Sequence, residues 1–264
     1  MWLGLCAGCS LSPSQRIQKI ADQQGFSTSR FTTAEFDLVV YKKPWGVPGT
    51  ALHIYIEGDG SPWLHNRFVA SDPTSHDPIA LKLMAEDPVP ALYLSRPCYQ
   101  GTSRSGVCHP KFWTNERYGT TVVNAMELAL RKILTEQVSE NARQTVLIGY
   151  SGGGTLALLL ANRLAKVKTV VTVAGNLDPD AWTQMHGYLP LTGSENPSDV
   201  EHWRAGLRQI HLLGQKDDNI PPSLSNRFFA RSPQSQRRVL ENFNHRCCWV
   251  QNWSDILESL GLNK

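Results

Sequence analysis

A chain of 264 residues that is 41% hydrophobic and 19% charged has an ordinary globular composition and the length to bury a large core in one domain, as α/β folds do. A formal net charge of +3, with no basic block longer than the pairs Lys42-Lys43 and Arg237-Arg238, leaves no electrostatic footprint for nucleic acid. No apolar run approaches the length of a bilayer span, which argues against an integral membrane protein.

The chain opens on Met1-Trp2-Leu3-Gly4-Leu5-Cys6-Ala7-Gly8-Cys9, apolar and small-residued, and turns polar at Ser12-Pro13-Ser14-Gln15. This resembles the end of a bacterial lipoprotein signal in which Cys9 receives lipid. The resemblance implies an exported, periplasmic protein, attached peripherally to a membrane through Cys9. The alternative is an ordinary apolar N-terminus on a cytoplasmic protein. Residues 1–29 are then an anchor remnant and spacer, with a small helix near Ile17, and residues 30–264 the working domain.

Phe36 to Lys42 predicts an early strand, stopped by the turn chemistry of Pro44-Trp45-Gly46-Val47-Pro48-Gly49. Leu52-His53-Ile54-Tyr55-Ile56 alternates as a strand and ends at Glu57-Gly58-Asp59-Gly60-Ser61-Pro62-Trp63. Residues 78–85 predict a helix capped by Asp77, and residues 89–94 the next strand. The loop that follows, from Arg96 to Cys108, is too polar and Gly/Ser-rich to pack itself. A disulfide between Cys98 and Cys108 suits it and would contribute about 2 to 3 kcal/mol by closing the loop; free thiols in a reducing cytosol are the alternative. Residues 121–134 have helical spacing and lead back into the sheet.

Thr145-Val146-Leu147-Ile148 then runs into Gly149-Tyr150-Ser151-Gly152-Gly153-Gly154 and an apolar helix-forming stretch. A buried strand, a G-x-S-x-G turn and a helix together form a nucleophile elbow. The two flanking glycines let strand and helix approach, the turn projects the Ser151 hydroxyl, and the Gly152 amide opens the helix pointing at a developing negative charge.

From about residue 51 to the C-terminus the sequence resembles the α/β-hydrolase superfamily, whose members have a mostly parallel central sheet flanked by helices. The resemblance implies a triad in the order nucleophile, acid, histidine. It also implies a second oxyanion-hole amide after the strand at 52–56. Glu57-Gly58 stands where the family usually has His-Gly, so the Asp59 amide is the first choice and that of Gly60 the second. Glu57 departs from the pattern, and a carboxylate so close to the nucleophile must be paired or turned away to brace the loop. Trp63, Tyr99 and Trp113 are candidates to line the pocket, the last two because right-handed crossovers bring their loop to the elbow's end of the sheet.

Residues 167–175 predict another strand. From 176 to 204 the pattern breaks, and this stretch, with Trp182, His186 and His202, reads as a short lid insertion. The two histidines are expected to be solvated. Strand, then Gly214-Gln215-Lys216-Asp217-Asp218-Asn219-Ile220-Pro221, resembles the family's acid-bearing turn and gives Asp217 the role, with Asp218 and Asp178 as rivals. His211 lies within that strand and reads as core or strand surface. After a last strand at 237–242, His245 is the only histidine downstream of Asp217. Cys247 and Cys248 read as two free thiols rather than a vicinal disulfide, and residues 249–260 as a closing helix.

The implied activity is hydrolysis of a carboxylic ester or thioester, of a small molecule or a lipid, through an acyl-enzyme on Ser151, with no metal or organic cofactor. Two alternatives remain open: an acyltransferase with the same triad, separable by adding an alcohol acceptor, and a non-catalytic binding protein of the same fold.

Overall fold

The computed structural model describes residues 11–44, 51–65, 67–103, 106–136 and 144–263. Cys9 and most of the turn expected at 44–49 lie outside the described residues. The chain begins with helix α1 (Pro13–Gln23), started by a capping box between Ser12 and Gln15 with Pro13 in the first turn. Strands β1 (Ser27–Thr32), β2 (Asp37–Lys42) and β3 (Ala51–Ile56) follow, then a small hairpin of β4 (Trp63–Leu64) and β5 (Phe68–Val69). Next come α2 (Ile79–Glu86), β6 (Ala91–Leu94), α3 (Thr120–Glu136), β7 (Gln144–Tyr150) and α4 (Gly152–Arg163). The rest is β8 (Val167–Val173), α5 (Pro179–His186), β9 (Arg208–Gly214), α6 (Asn226–Arg231), β10 (Gln236–Leu240) and α7 (Trp253–Leu260).

Eight strands form one sheet in the order β1-β2-β6-β3-β7-β8-β9-β10. From β6 to β10 every pairing is parallel, and β1 and β2 add an antiparallel edge. This is the mostly parallel sheet expected. Both of its faces are covered, so the central strands are apolar throughout, with side chains alternating between two cores. Ile54, Ile56 and Leu147 pack with α3 and α4 on one side; Tyr55, Val146 and Ile148 pack with α1, α2 and α7 on the other. The buried stripe of α3, Val122, Val123, Met126, Ala129, Leu130 and Ile133, has the 3.6-residue period that made it legible.

Two expectations need correction. Residues 11–29 are not a spacer: Ile17 and Ala21 are fully buried in the core that includes Tyr41 and Tyr55, and the boundary drawn at 29/30 cuts through β1. Asp77 does not cap α2, whose N-cap is Pro78 with no side-chain bond of its own. Asp77 pairs instead with Lys82, and the free amide of Ala80 at the helix start is taken by Glu57 Oε2 at 3.1 Å.

Candidate active site

Ser151 sits between β7 and α4 with φ 51° and ψ −124°, a conformation that side chains rarely adopt. It is locked there by backbone bonds, its N–H to Val173 O at 2.9 Å and its carbonyl accepting from Gly154 and Asn176. Closeness, not flexibility, requires the neighbouring glycines. A Cβ at Gly149 would lie 2.2 Å from Gly153 O, and one at Gly153 would lie 2.3 Å from Ile56 O.

Three loops at the carboxyl ends of the parallel strands converge on this serine. After β9, Asp217 is buried, and its Oδ1 accepts from the amides of Asn219 and Ile220 at 3.0 and 2.8 Å. After β10, the His245 carbonyl is held by Tyr150 Oη at 3.0 Å and Trp249 Nε1 at 3.2 Å. The imidazole lies between the two: Nδ1 is 2.8 Å from Asp217 Oδ2, and Nε2 is 3.1 Å from Ser151 Oγ. Since a carboxylate only accepts, Nδ1 carries the proton in the neutral ring and Nε2 presents its lone pair to the serine. Neither rival acid does this. Asp218 is exposed, and Asp178 caps α5 through Ala181 while binding Asn196.

After β3, Gly58 packs against Ser151 so tightly that a Cβ on it would meet Ser151 Cβ at 3.3 Å. The amides of Gly152, Asp59 and Gly60 donate to no protein acceptor among the described residues. The Asp59 carboxylate lies against Gly152 and is paired on both oxygens: Arg96 Nη1 at 2.6 Å, Arg117 Nη1 at 3.0 Å and Tyr118 Oη at 2.6 Å. Burial pushes its carboxyl up, but Arg117 and Arg96 outweigh that and bring it down to about 2.

Glu57 braces the loop, its carboxylate accepting from the amides of Gly58 and Ala80 at 3.1 Å each. Burial pushes its carboxyl up to about 7, against the opposing pull of those amides. Since the folded value exceeds the ordinary 4.5, the folded chain holds this proton more tightly than the unfolded one. The resulting stability is complete below pH 4.5 and is lost as pH rises through 7, a change of about 3 kcal/mol. Glu57→Gln should remove that part of the slope. Urea midpoints of both proteins at pH 5 and pH 8 would check it, and identical pH dependence would refute it.

The aromatic candidates separate. Trp63 is 43% exposed on the β4–β5 hairpin. Tyr99 and Trp113 are buried rather than lining; Tyr99 Oη donates to Asp59 O at 3.0 Å, and Trp113 belongs to the core beside α3. Trp182, on α5, reaches the site: its Nε1 donates to Asn219 Oδ1 at 3.4 Å. His186 is not simply solvated, since its Nε2 meets Asn219 O at 2.8 Å and its ring stacks with Tyr188. The expected lid is thus one short helix and a 3-10 turn (Pro197–Asp199), with Leu177, Asp178 and Ser198 buried beneath. His211 is core, bonded to Thr172, and burial lowers its imidazole to about 3.

Asn219 was not anticipated. Its Nδ2 is 3.1 Å from His245 Nε2, so it faces the same lone pair as Ser151. The only sequence signal was its place two residues after the acid. Beside it an open cleft of about 500 Å³ is lined by Asp218, Asn219, Asn244, His245, Arg246 and Cys247. Cys98 and Cys108 are joined as expected. Cys247 and Cys248 are also joined, which corrects the expectation of free thiols: the bond links two adjacent residues of the loop that carries His245.

No family model matches the chain, and no curated protein matches it in sequence. Solved structures do resemble it. An esterase from Pyrococcus furiosus, Pf2001, superposes with a TM-score of 0.59 at 12% identity over 90% of this chain and 89% of that one. An alpha-beta serine hydrolase homologue from Coxiella burnetii gives 0.54 at 14% identity over 89% and 95%. A puromycin-hydrolyzing peptidase from Mycobacterium tuberculosis gives 0.63 at 14% identity over 90% of this chain, which spans only 39% of that larger protein.

Proposed function

This chain has the α/β-hydrolase fold, and on that premise we propose that it is a serine hydrolase that cleaves carboxylic esters or thioesters. The observation that carries the reading is the continuous contact from Ser151 Oγ through the His245 ring to Asp217. In this mechanism His245 Nε2 takes the hydroxyl proton as Ser151 Oγ attacks the carbonyl carbon. The amides of Gly152 and Asp59, with Gly60 as second choice, hold the oxyanion, and Asp217 stabilises the imidazolium. His245 then gives its proton to the leaving oxygen. Water, activated by the same imidazole, releases the acid from Ser151. That these amides donate to no acceptor among the described residues supports this assignment, because a preorganised donor costs no rearrangement when charge develops.

Labelling with a fluorophosphonate, followed by peptide mapping and a panel of 4-nitrophenyl esters of increasing chain length, tests the reading. The expected result is one adduct, on Ser151, with turnover of short esters. Absence of any adduct together with absence of turnover would overturn it.

We also propose, from the sequence around Cys9, that the protein is exported and held at a membrane by lipid. The cross-linked cysteine pairs support an oxidising compartment. Ser14 Oγ bonds Asp72 Oδ2 at 2.5 Å, which ties the start of α1 beside the hairpin where Trp63, Leu64 and Phe68 are exposed. A mass spectrum of membrane-extracted protein with Met1 intact and Cys9 unmodified would remove this proposal.

A further inference from the structure

The polar cluster beside the nucleophile holds more positive charge than its own carboxylate neutralises. Arg96 and Arg117 are both buried, with side-chain exposures of 1% and 6%, and they share one carboxylate, Asp59. Arg96 is consumed by the fold at both terminal nitrogens: Nη1 binds Gly58 O and Asp59 Oδ1, and Nη2 binds Arg117 O at 2.7 Å, while its buried Nε has no partner among the described residues. Arg117 is not. Its Nε donates to Thr114 O at 2.6 Å and its Nη1 to Asp59 Oδ2, but Nη2 has no acceptor among the described residues. The face of the guanidinium lies 6.0 Å from the ring of Trp182, the α5 residue that also touches Asn219.

The position of this cluster relative to the chemistry is fixed by Gly152. A Cβ there would fall 2.2 Å from Asp59 Oδ1 and 2.4 Å from Tyr118 Oη. The space that a side chain after the nucleophile would fill is therefore occupied by Asp59 and Tyr118, with Arg117 behind them and Trp182 over Arg117. A leaving oxygen has to lie within reach of His245, so the alcohol half of an ester sits on that side of Ser151. The acid half is directed toward Gly152 and the arginine cluster. A buried guanidinium with a free Nη2 and an unneutralised charge is a poor neighbour for an alkyl chain and a strong partner for a carboxylate.

We propose that Arg117 is a specificity-determining residue that binds an anionic group on the acyl part of the substrate, so that the preferred esters are half-esters of dicarboxylic acids. This rests on the ester-hydrolase reading above. In the complex the substrate carboxylate accepts from Arg117 Nη2 and balances the excess charge, while Trp182 covers the pair from solvent.

The test compares 4-nitrophenyl hydrogen glutarate with 4-nitrophenyl 5-methylhexanoate, in which an isopropyl group replaces the carboxylate. Wild-type protein should favour the glutarate by about tenfold or more in kcat/KM, chiefly through KM, with the preference shrinking as salt is raised. Arg117→Met should reduce the ratio of the two kcat/KM values about tenfold or more, and Arg117→Lys should retain part of it. A wild-type ratio at or below one overturns the proposal, as does an Arg117→Met variant that slows both esters equally, the mark of a role confined to the oxyanion or the fold. If Arg117→Met does not fold, competition on wild-type protein decides: free glutarate must slow fluorophosphonate labelling of Ser151 more strongly than 5-methylhexanoate does. Protein that hydrolyses neither ester and takes up no phosphonate sinks the hydrolase reading itself; protein that hydrolyses the neutral ester without favouring the glutarate sinks only this inference.

Discussion

Asp217→Asn should lower kcat on a short 4-nitrophenyl ester by about 10⁴-fold, with the fold intact. The reason is local. Two amides, those of Asn219 and Ile220, donate to Asp217 Oδ1, so an asparagine there keeps its carbonyl oxygen on them and turns its NH₂ toward His245 Nδ1. A donor facing Nδ1 drives the ring proton to Nε2, where the lone pair needed by Ser151 disappears. The same change at Asp218, which is exposed, should leave kcat within about twofold. Steady-state kinetics of the two variants, with circular dichroism as the folding control, check the pair of expectations. Loss of activity in Asp218→Asn with full activity in Asp217→Asn would reverse the assignment of the acid.

What was legible in the sequence was legible because it is local. A strand, a crowded turn and a helix must be consecutive to make an elbow, so Gly149 to Gly153 carried their own context. The acid turn is similar, since the bonds from Asn219 and Ile220 to Asp217 span only two and three residues. His245 followed from chain order. The features that were missed are joined only by the fold. Arg96 leaves β6, Arg117 precedes α3 and Asp59 follows β3; nothing in the spacing of these residues announces one cluster. Loop placement also misled, since crossover handedness brings Tyr99 and Trp113 to the right end of the sheet but both are buried packing, and Asn219 was passed over because its amide makes no motif. The buried part of α1 was hidden by its polar composition: Ile17 and Ala21 are buried in the core and Ile20 packs against it, among mostly polar neighbours.

Asp59→Asn should destabilise the protein by about 3 kcal/mol at pH 7, because it leaves Arg96 and Arg117 buried without a counter-charge. Removal of one member of a buried pair costs more than the pair contributes, since the remaining charges keep their desolvation penalty. The pH dependence identifies the cause. The carboxyl of Asp59 is lowered from 3.8 to about 2 in the folded chain, so its contribution is fully present above pH 3.8 and disappears as pH falls through 2. Urea midpoints of the two proteins should therefore lie far apart at neutral pH and draw together as pH falls from 4 toward 2. Activity should fall with stability in this variant, because the loop that offers the Asp59 amide is held by the same ion pairs; in Asp217→Asn activity should fall alone. Equal midpoints at pH 7 would mean that the arginines find other partners and that this carboxylate does not hold the loop against Gly152.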